Sequence, residues 1–198
     1  MLRSVGELYD TWDDAGAKTI KQQDKAVKKM HFEIKLYLAS LSRSGLDEEL
    51  SRRLMELATI STSLETASDA ISRNMLQLAK RLEVESVKFS AQGNQEIGDF
   101  SDRVLNNVQL ALNVMMNQNP GEARELVAAK EKARRIEQKL QRSHLGRLRA
   151  GLVDSIETSN VHQETLRALK QVNTSFCMVG YPIVAKSGDL LQSRLAES

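Results

Sequence analysis

Ala17–Ile34, AKTIKQQDKAVKKMHFEI, and Ala123–Leu140, ARELVAAKEKARRIEQKL, are two versions of one segment. Ala17, Lys18, Ile20, Val27, Met30 and Ile34 of the first return about 106 positions later as Ala123, Arg124, Leu126, Ala133, Ile136 and Leu140. Their apolar members recur at helical spacing, so each copy reads as one stripe of an amphipathic helix. A period this long exceeds the roughly 20–50 residues of a solenoid unit. It predicts two similar helical bundles set side by side.

The rest of the composition agrees. Of 198 residues, 41% are hydrophobic, enough for a core, while only 4% are aromatic and two are proline. Abundant Ala, Leu, Lys, Arg, Glu and Gln with few breakers predict an all-α chain. Basic residues number 28 against 26 acidic ones, so any electrostatic function is local and nucleic acid is not expected as a partner. The single cysteine, Cys177, excludes an internal disulfide and fits a reducing compartment. With neither a membrane-spanning run nor a secretion signal, the cytoplasm is the expected location.

Helical spacing starts at Leu2, Val5, Leu8 and Tyr9 with no cap before them, the pattern of a helix entered part-way. A second helix is expected from about Ala15 to Leu41, broken by Ser42-Arg43-Ser44-Gly45. Asp47 then starts a long helix whose seam runs through Leu54, Leu57, Ser61, Leu64, Ser68, Ile71, Met75, Leu78 and Leu82. Ser90–Gly98 has two glycines and no period, which predicts a linker dividing the chain into repeats at 1–90 and 99–186. A helix from about Ser101 would stop at Asn119-Pro120-Gly121-Glu122, a sequence that itself starts the next helix, which runs to about Arg149. Gly151 marks a turn into a last long helix that Pro182 ends or kinks, and Ser187–Leu191 is expected to add a short one.

Chemistry is sparse. Glu65 and Asp69 lie four apart on one helix face, where two carboxylates repel unless a cation joins them. A hard metal ion or a neighbouring Lys or Arg would serve, and small residues around the pair (Ala58, Thr59, Ser61, Thr62, Ser63, Thr66, Ala67, Ser68) suit either an ion or close helix packing. Lysines and arginines crowd both copies, at Lys18, Lys21, Lys25, Lys28, Lys29 and Lys35 and again from Lys130 to Arg149. Solvated helix faces look like this, as do faces that meet anionic lipid or an acidic partner. His31, His144 and His162 have no ligand spacing, and Asp154, Glu157, His162 and Glu164 read as a solvated acidic flank. No nucleophile stands with a base and no glycine-rich phosphate cradle appears, so catalysis is not expected.

Tandem three-helix units of about 105 residues, with Leu64-Glu65-Thr66-Ala67-Ser68-Asp69 running into Ala70-Ile71-Ser72-Arg73-Asn74, resemble PhoU proteins, whose long helices carry an E(D)-x-x-x-D motif. Ile156–His162, Leu166–Asn173 and Gly180-Tyr181-Pro182-Ile183 are similar to the PhoU-like domain at the cytoplasmic end of bacterial sodium/phosphate cotransporters. The resemblance implies iron or zinc held by Glu65 and Asp69, with Asp24 on the neighbouring helix. At a shift of about 105 the motif lands on Leu169–Thr174, where Lys170 and Thr174 replace both carboxylates, so no second metal site is expected. It further implies a non-catalytic regulatory domain for phosphate uptake at the inner face of the membrane. The transporter would belong to the same polypeptide, and a homodimer or an anionic membrane surface are further candidate partners. The alternative is a stand-alone phosphate-signalling regulator that binds metal and a protein partner. A metal-dependent helical enzyme would need carboxylate–histidine ligand pairs that are missing.

Overall fold

The computed structural model describes residues 1–42 and 47–188, which hold helices and no strand. In chain order these are α1 (Leu2–Asp10), α2 (Asp14–Ser42), α3 (Glu48–Asp69), a wide-turned π segment (Ala70–Met75), α4 (Leu76–Glu85), α5 (Ala91–Asn117), α6 (Pro120–Arg149), α7 (Val153–Glu157), α8 (Ser159–Cys177) and α9 (Gly180–Lys186). The break expected within 42–45 and the short helix expected at 187–191 fall largely outside the described residues.

Local chemistry sets several of the helix starts. The Asp47 carboxylate accepts from the Leu50 N–H, and the Asn119 side chain accepts from Gly121 and Glu122, with Pro120 at the first helical position. Gly151 turns the chain at φ +71°, a left-handed conformation that suits glycine. Pro182 neither ends nor kinks α8. The break comes earlier, at Met178–Val179, and Pro182 sits in the first turn of α9, where no intrahelical N–H is needed. Gly180 lets α9 press onto α6, since a Cβ there would stand 2.8 Å from the Ala123 carbonyl.

The expected linker at 90–98 is helical from Ala91 onward. Ser90 caps α5 by accepting from the Gly93 N–H, and Gly93 packs where a Cβ would meet His162 and Arg147. Glycine here serves a close approach of helices, which the same letter in a flexible linker does not reveal. The two halves also share a core. Leu2, Val5, Ile20 and Ile71 from the first cluster with Phe100, Val104, Leu166 and Leu169 from the second, around the heavily buried α8.

The seam from Leu54 to Leu82 is one long rod made of α3, the π segment and α4. At its centre the Leu76 N–H donates to the Ile71 carbonyl five residues back, one more than an α-helix spans. That extra residue shifts the helix face immediately after Asp69.

Candidate functional site

Of Glu65, Asp69 and Asp24, expected to hold one metal ion, α2 and α3 bring Asp24 and Asp69 together, and the cation between them is a lysine of the protein. The Lys28 ammonium lies 2.5 Å from Asp24 Oδ2 and 2.8 Å from Asp69 Oδ1. Arg73 Nε stands 3.2 Å from the same Asp69 oxygen, one helical turn on. Ser68 Oγ donates to Asp24 Oδ1 at 2.8 Å. Burial pushes the Asp24 carboxyl up, but hydrogen bonds from Lys28 and Ser68 outweigh it and hold the group below the ordinary carboxylate range. The same bonds, to Asp24 and to Asp69, push the Lys28 ammonium up.

Among the described residues Glu65 forms no ion pair with Lys28 or Arg73, the cations that Asp69 meets. Among the described residues no three of His, Cys, Asp or Glu are grouped to hold a metal ion. Two carboxylates facing one lysine and one arginine are already neutral as a set. A divalent ion entering here would have to displace Lys28, so the residues do not fit a resident iron or zinc ion.

Alongside the carboxylates runs an open apolar groove of about 590 Å³. It is lined by Met1 and by Leu2 at the start of α1, by Val27, Met30 and Ile34 of α2, by Leu64 of α3 and by Leu105, Val108 and Leu112 of α5. Its polar feature is His31 Nδ1, 2.9 Å from Ser61 Oγ across the α2–α3 pair. Beyond the groove the α2–α3 hairpin exposes Phe32, Leu36, Tyr37 and Met55, so the far part of α2 is apolar on more than one side. A helix with apolar residues on more than one face ordinarily packs against something.

A third cluster was illegible in the sequence. His144 and His162 stack with ring centroids 4.6 Å apart, both about 1% exposed. Arg147 reaches 3.4 Å to each imidazole and donates to Glu96 Oε1 at 2.9 Å. Burial, then His144 and Arg147, push His162 down to about 3, while burial followed by Arg147 lowers His144. Ser159 Oγ lies 2.9 Å from His144 Nε2, yet the other ring nitrogen of His144 faces the Arg147 guanidinium. A catalytic histidine needs an anion or acceptor there, so this pair is no activated nucleophile and the cluster instead ties α5, α6 and α8 together. Of the expected solvated acidic flank, Asp154 and Glu157 are exposed and Glu164 pairs with Arg167 at the surface, whereas His162 points inward. Arg147 is buried although the basic residues were expected to be solvated. Its neighbours on α6 follow expectation, with Arg134 and Arg135 holding the exposed Glu131 carboxyl down at about 2 through hydrogen bonds.

The PhoU domain family model matches residues 1–79. A protein of Salmonella typhimurium strain LT2 named for inorganic phosphate export, YjbB, is 33% identical over 167 residues, covering 84% of this chain and 31% of that protein. Its Escherichia coli K12 counterpart of the same name is 31% identical with the same coverage. The chain thus spans about 31% of the length of these curated relatives. The crystal structure of PhoU from Pseudomonas aeruginosa superimposes with a TM-score of 0.82 over 92% of this chain and 86% of that one, at 16% identity. That likeness shows the fold. No helix among the described residues is long and apolar enough to cross a membrane.

Proposed function

Given that residues 1–79 carry a PhoU domain within a PhoU-type fold, we propose that this chain is a non-catalytic regulatory unit in phosphate homeostasis, acting by contact with a phosphate-transport partner. The observation that carries this reading is the extent of the match: it covers 84% of the chain, far beyond residues 1–79, and the matched relatives are named for phosphate export. The architecture suits contact better than chemistry. It offers an open apolar groove, and the buried Glu96–Arg147 pair ties helices together.

The test is phosphate balance in cells of the native host. Removing the chain should change cellular phosphate content and the rate of phosphate efflux after a high-phosphate load, and restoring it should reverse both. Unchanged phosphate content and efflux would remove the reading.

A second reading places the unit inside a polypeptide that also carries the transporter, at the inner face of the membrane. The observation in favour is that the alignment takes in only 31% of each relative. An antibody to this chain decides between the two. A membrane-sedimenting antigen far larger than 22.1 kDa supports the fused transporter, and a soluble antigen of that size supports the separate regulator.

A further inference from the structure

We infer that the outward face of α2 docks on an anionic phospholipid bilayer, held by a row of lysines and anchored by Phe32 and Leu36. The inference stands without the phosphate reading. Lys18, Lys21, Lys25, Lys29, Phe32 and Leu36 follow one another at steps of three and four. At that spacing they share an arc of about 80° and make one stripe about 27 Å long. The stripe is turned away from Ile20 and Leu38, which are buried, and from Met30 and Ile34, which line the groove. All its side chains are exposed, Phe32 at 61% and Leu36 at 56%.

The internal repeat supplies a control. At the shift of 106 that aligns α2 with α6, Lys25, Phe32 and Leu36 fall on Glu131, Gln138 and Arg142. Glu131 pairs with Arg134 and Arg135, so the second copy offsets its own cations and keeps polar residues at both anchor positions. That is an ordinary solvated face. On α2 the ion pairs are those of Lys28 with Asp24 and Asp69, and a 3.8 Å contact between the exposed Lys29 and Glu33. Among the described residues Lys18, Lys21 and Lys25 therefore meet no carboxylate, and the positive field along the stripe is left uncompensated.

Both parts of the stripe fit one kind of surface. Lysines meet anionic headgroups as point charges, and their long stems keep the ammonium in the headgroup layer while the helix lies close. Phe and Leu beside them are side chains that reach the acyl boundary from a helix lying in the membrane plane. The cations of the stripe are all lysine, which protein interfaces deplete in favour of arginine. None of these side chains lines the groove, so the stripe gives a protein partner no pocket there for an anchor, whereas a broad flat surface covers it whole.

The test mixes the full chain with vesicles of equal parts phosphatidylglycerol and phosphatidylcholine. An environment-sensitive fluorophore is attached at Phe32→Cys and, in a separate variant, at its second-half counterpart Gln138→Cys. Native Cys177 does not interfere, being buried with its thiol pushed up to about 12 by desolvation. Vesicles should shift the probe at 32 to the blue and leave the probe at 138 unchanged, and the shift should fade between about 0.05 and about 0.5 M salt. In cosedimentation, Lys21→Glu with Lys25→Glu should weaken vesicle binding by about tenfold or more, whereas Arg135→Glu with Arg142→Glu on α6 should leave it within about threefold. No shift at 32, equal shifts at 32 and 138, or full binding by the Lys21→Glu, Lys25→Glu variant overturns the inference. A blue shift that grows with protein concentration without vesicles would assign the face to a second copy. Binding of soluble polyglutamate with a probe at 32 that is silent towards vesicles would assign it to an acidic protein, and either result overturns the inference as well.

Discussion

The two halves solve the same packing problem with opposite charge and opposite closure. In the first, the polar position on α2 is Asp24, joined by Asp69 and bridged by Lys28. At the shifts that align the halves, Asp24 becomes Lys130 and Asp69 becomes Thr174. Lys130 has no carboxylate to meet and instead lies over the Tyr181 ring, 5.4 Å from its centroid. The trough between the helices is filled by Phe100 and Val104 in the second half and open at Met30 and Ile34 in the first. A repeat thus preserves backbone placement and a stripe pattern, while charge and cover vary between copies.

The largest test of that contrast lies in the filled half. Phe100→Ala should cost about 3–5 kcal/mol in urea unfolding, because it empties the centre of the shared core. A cost under about 1 kcal/mol would mean the second trough is not packed as described. Next is acid. His144 and His162 have folded pKa values depressed below the ordinary histidine value of about 6.5. Their neutral forms therefore contribute stability that is fully present above about pH 6.5 and is lost as pH falls towards the folded values, that of His162 being about 3. Stability should fall by up to about 1.4 kcal/mol per pH unit for each histidine across that window, and His162→Gln should flatten the upper part of the profile. Asp24, also depressed, adds its loss only below the ordinary carboxylate range near about pH 4.

Smaller effects belong to the open half. Lys28→Ala should cost about 1–3 kcal/mol by leaving Asp24 buried without its cation. The same variant should gain a Tm increase with millimolar manganese that the native chain does not show. A native chain that responds equally would return the carboxylates to the role of metal ligands. Least of all, Met30→Ser should change stability by about 0.5 kcal/mol or less, whereas its counterpart Ile136→Ser, packed on the core, should cost about 2–4 kcal/mol.

Much of the fold is legible in the residues. Asp47, Asn119-Pro120 and Gly151 announce their turns because capping acts within three or four residues. The burial of Leu2, Val5 and Leu8 follows from their spacing. Reading 90–98 as a linker fails because a glycine at a helix crossing and one in a loop look alike without the partner helix. The π segment has no signature in Ala70–Met75, since one widened turn is settled by what the rod packs against. At the candidate site, the nearness of Asp24 to Asp69 was expected from family resemblance, whereas the lysine between them was only one of two candidate cations.

By itself the sequence determines an all-helical repeat protein, because stripes, caps and an echo of about 106 residues are local patterns read along one chain. Tertiary structure alone decides which charges meet. Glu96, His144, Arg147 and His162 form one cluster across three helices, and Asp24 rather than Glu65 shares a lysine with Asp69. Charge partners depend on helix rotation and crossing, to which a pattern of apolar spacing gives only an approximate angle, and a side chain misplaced by one helical position points about 100° away.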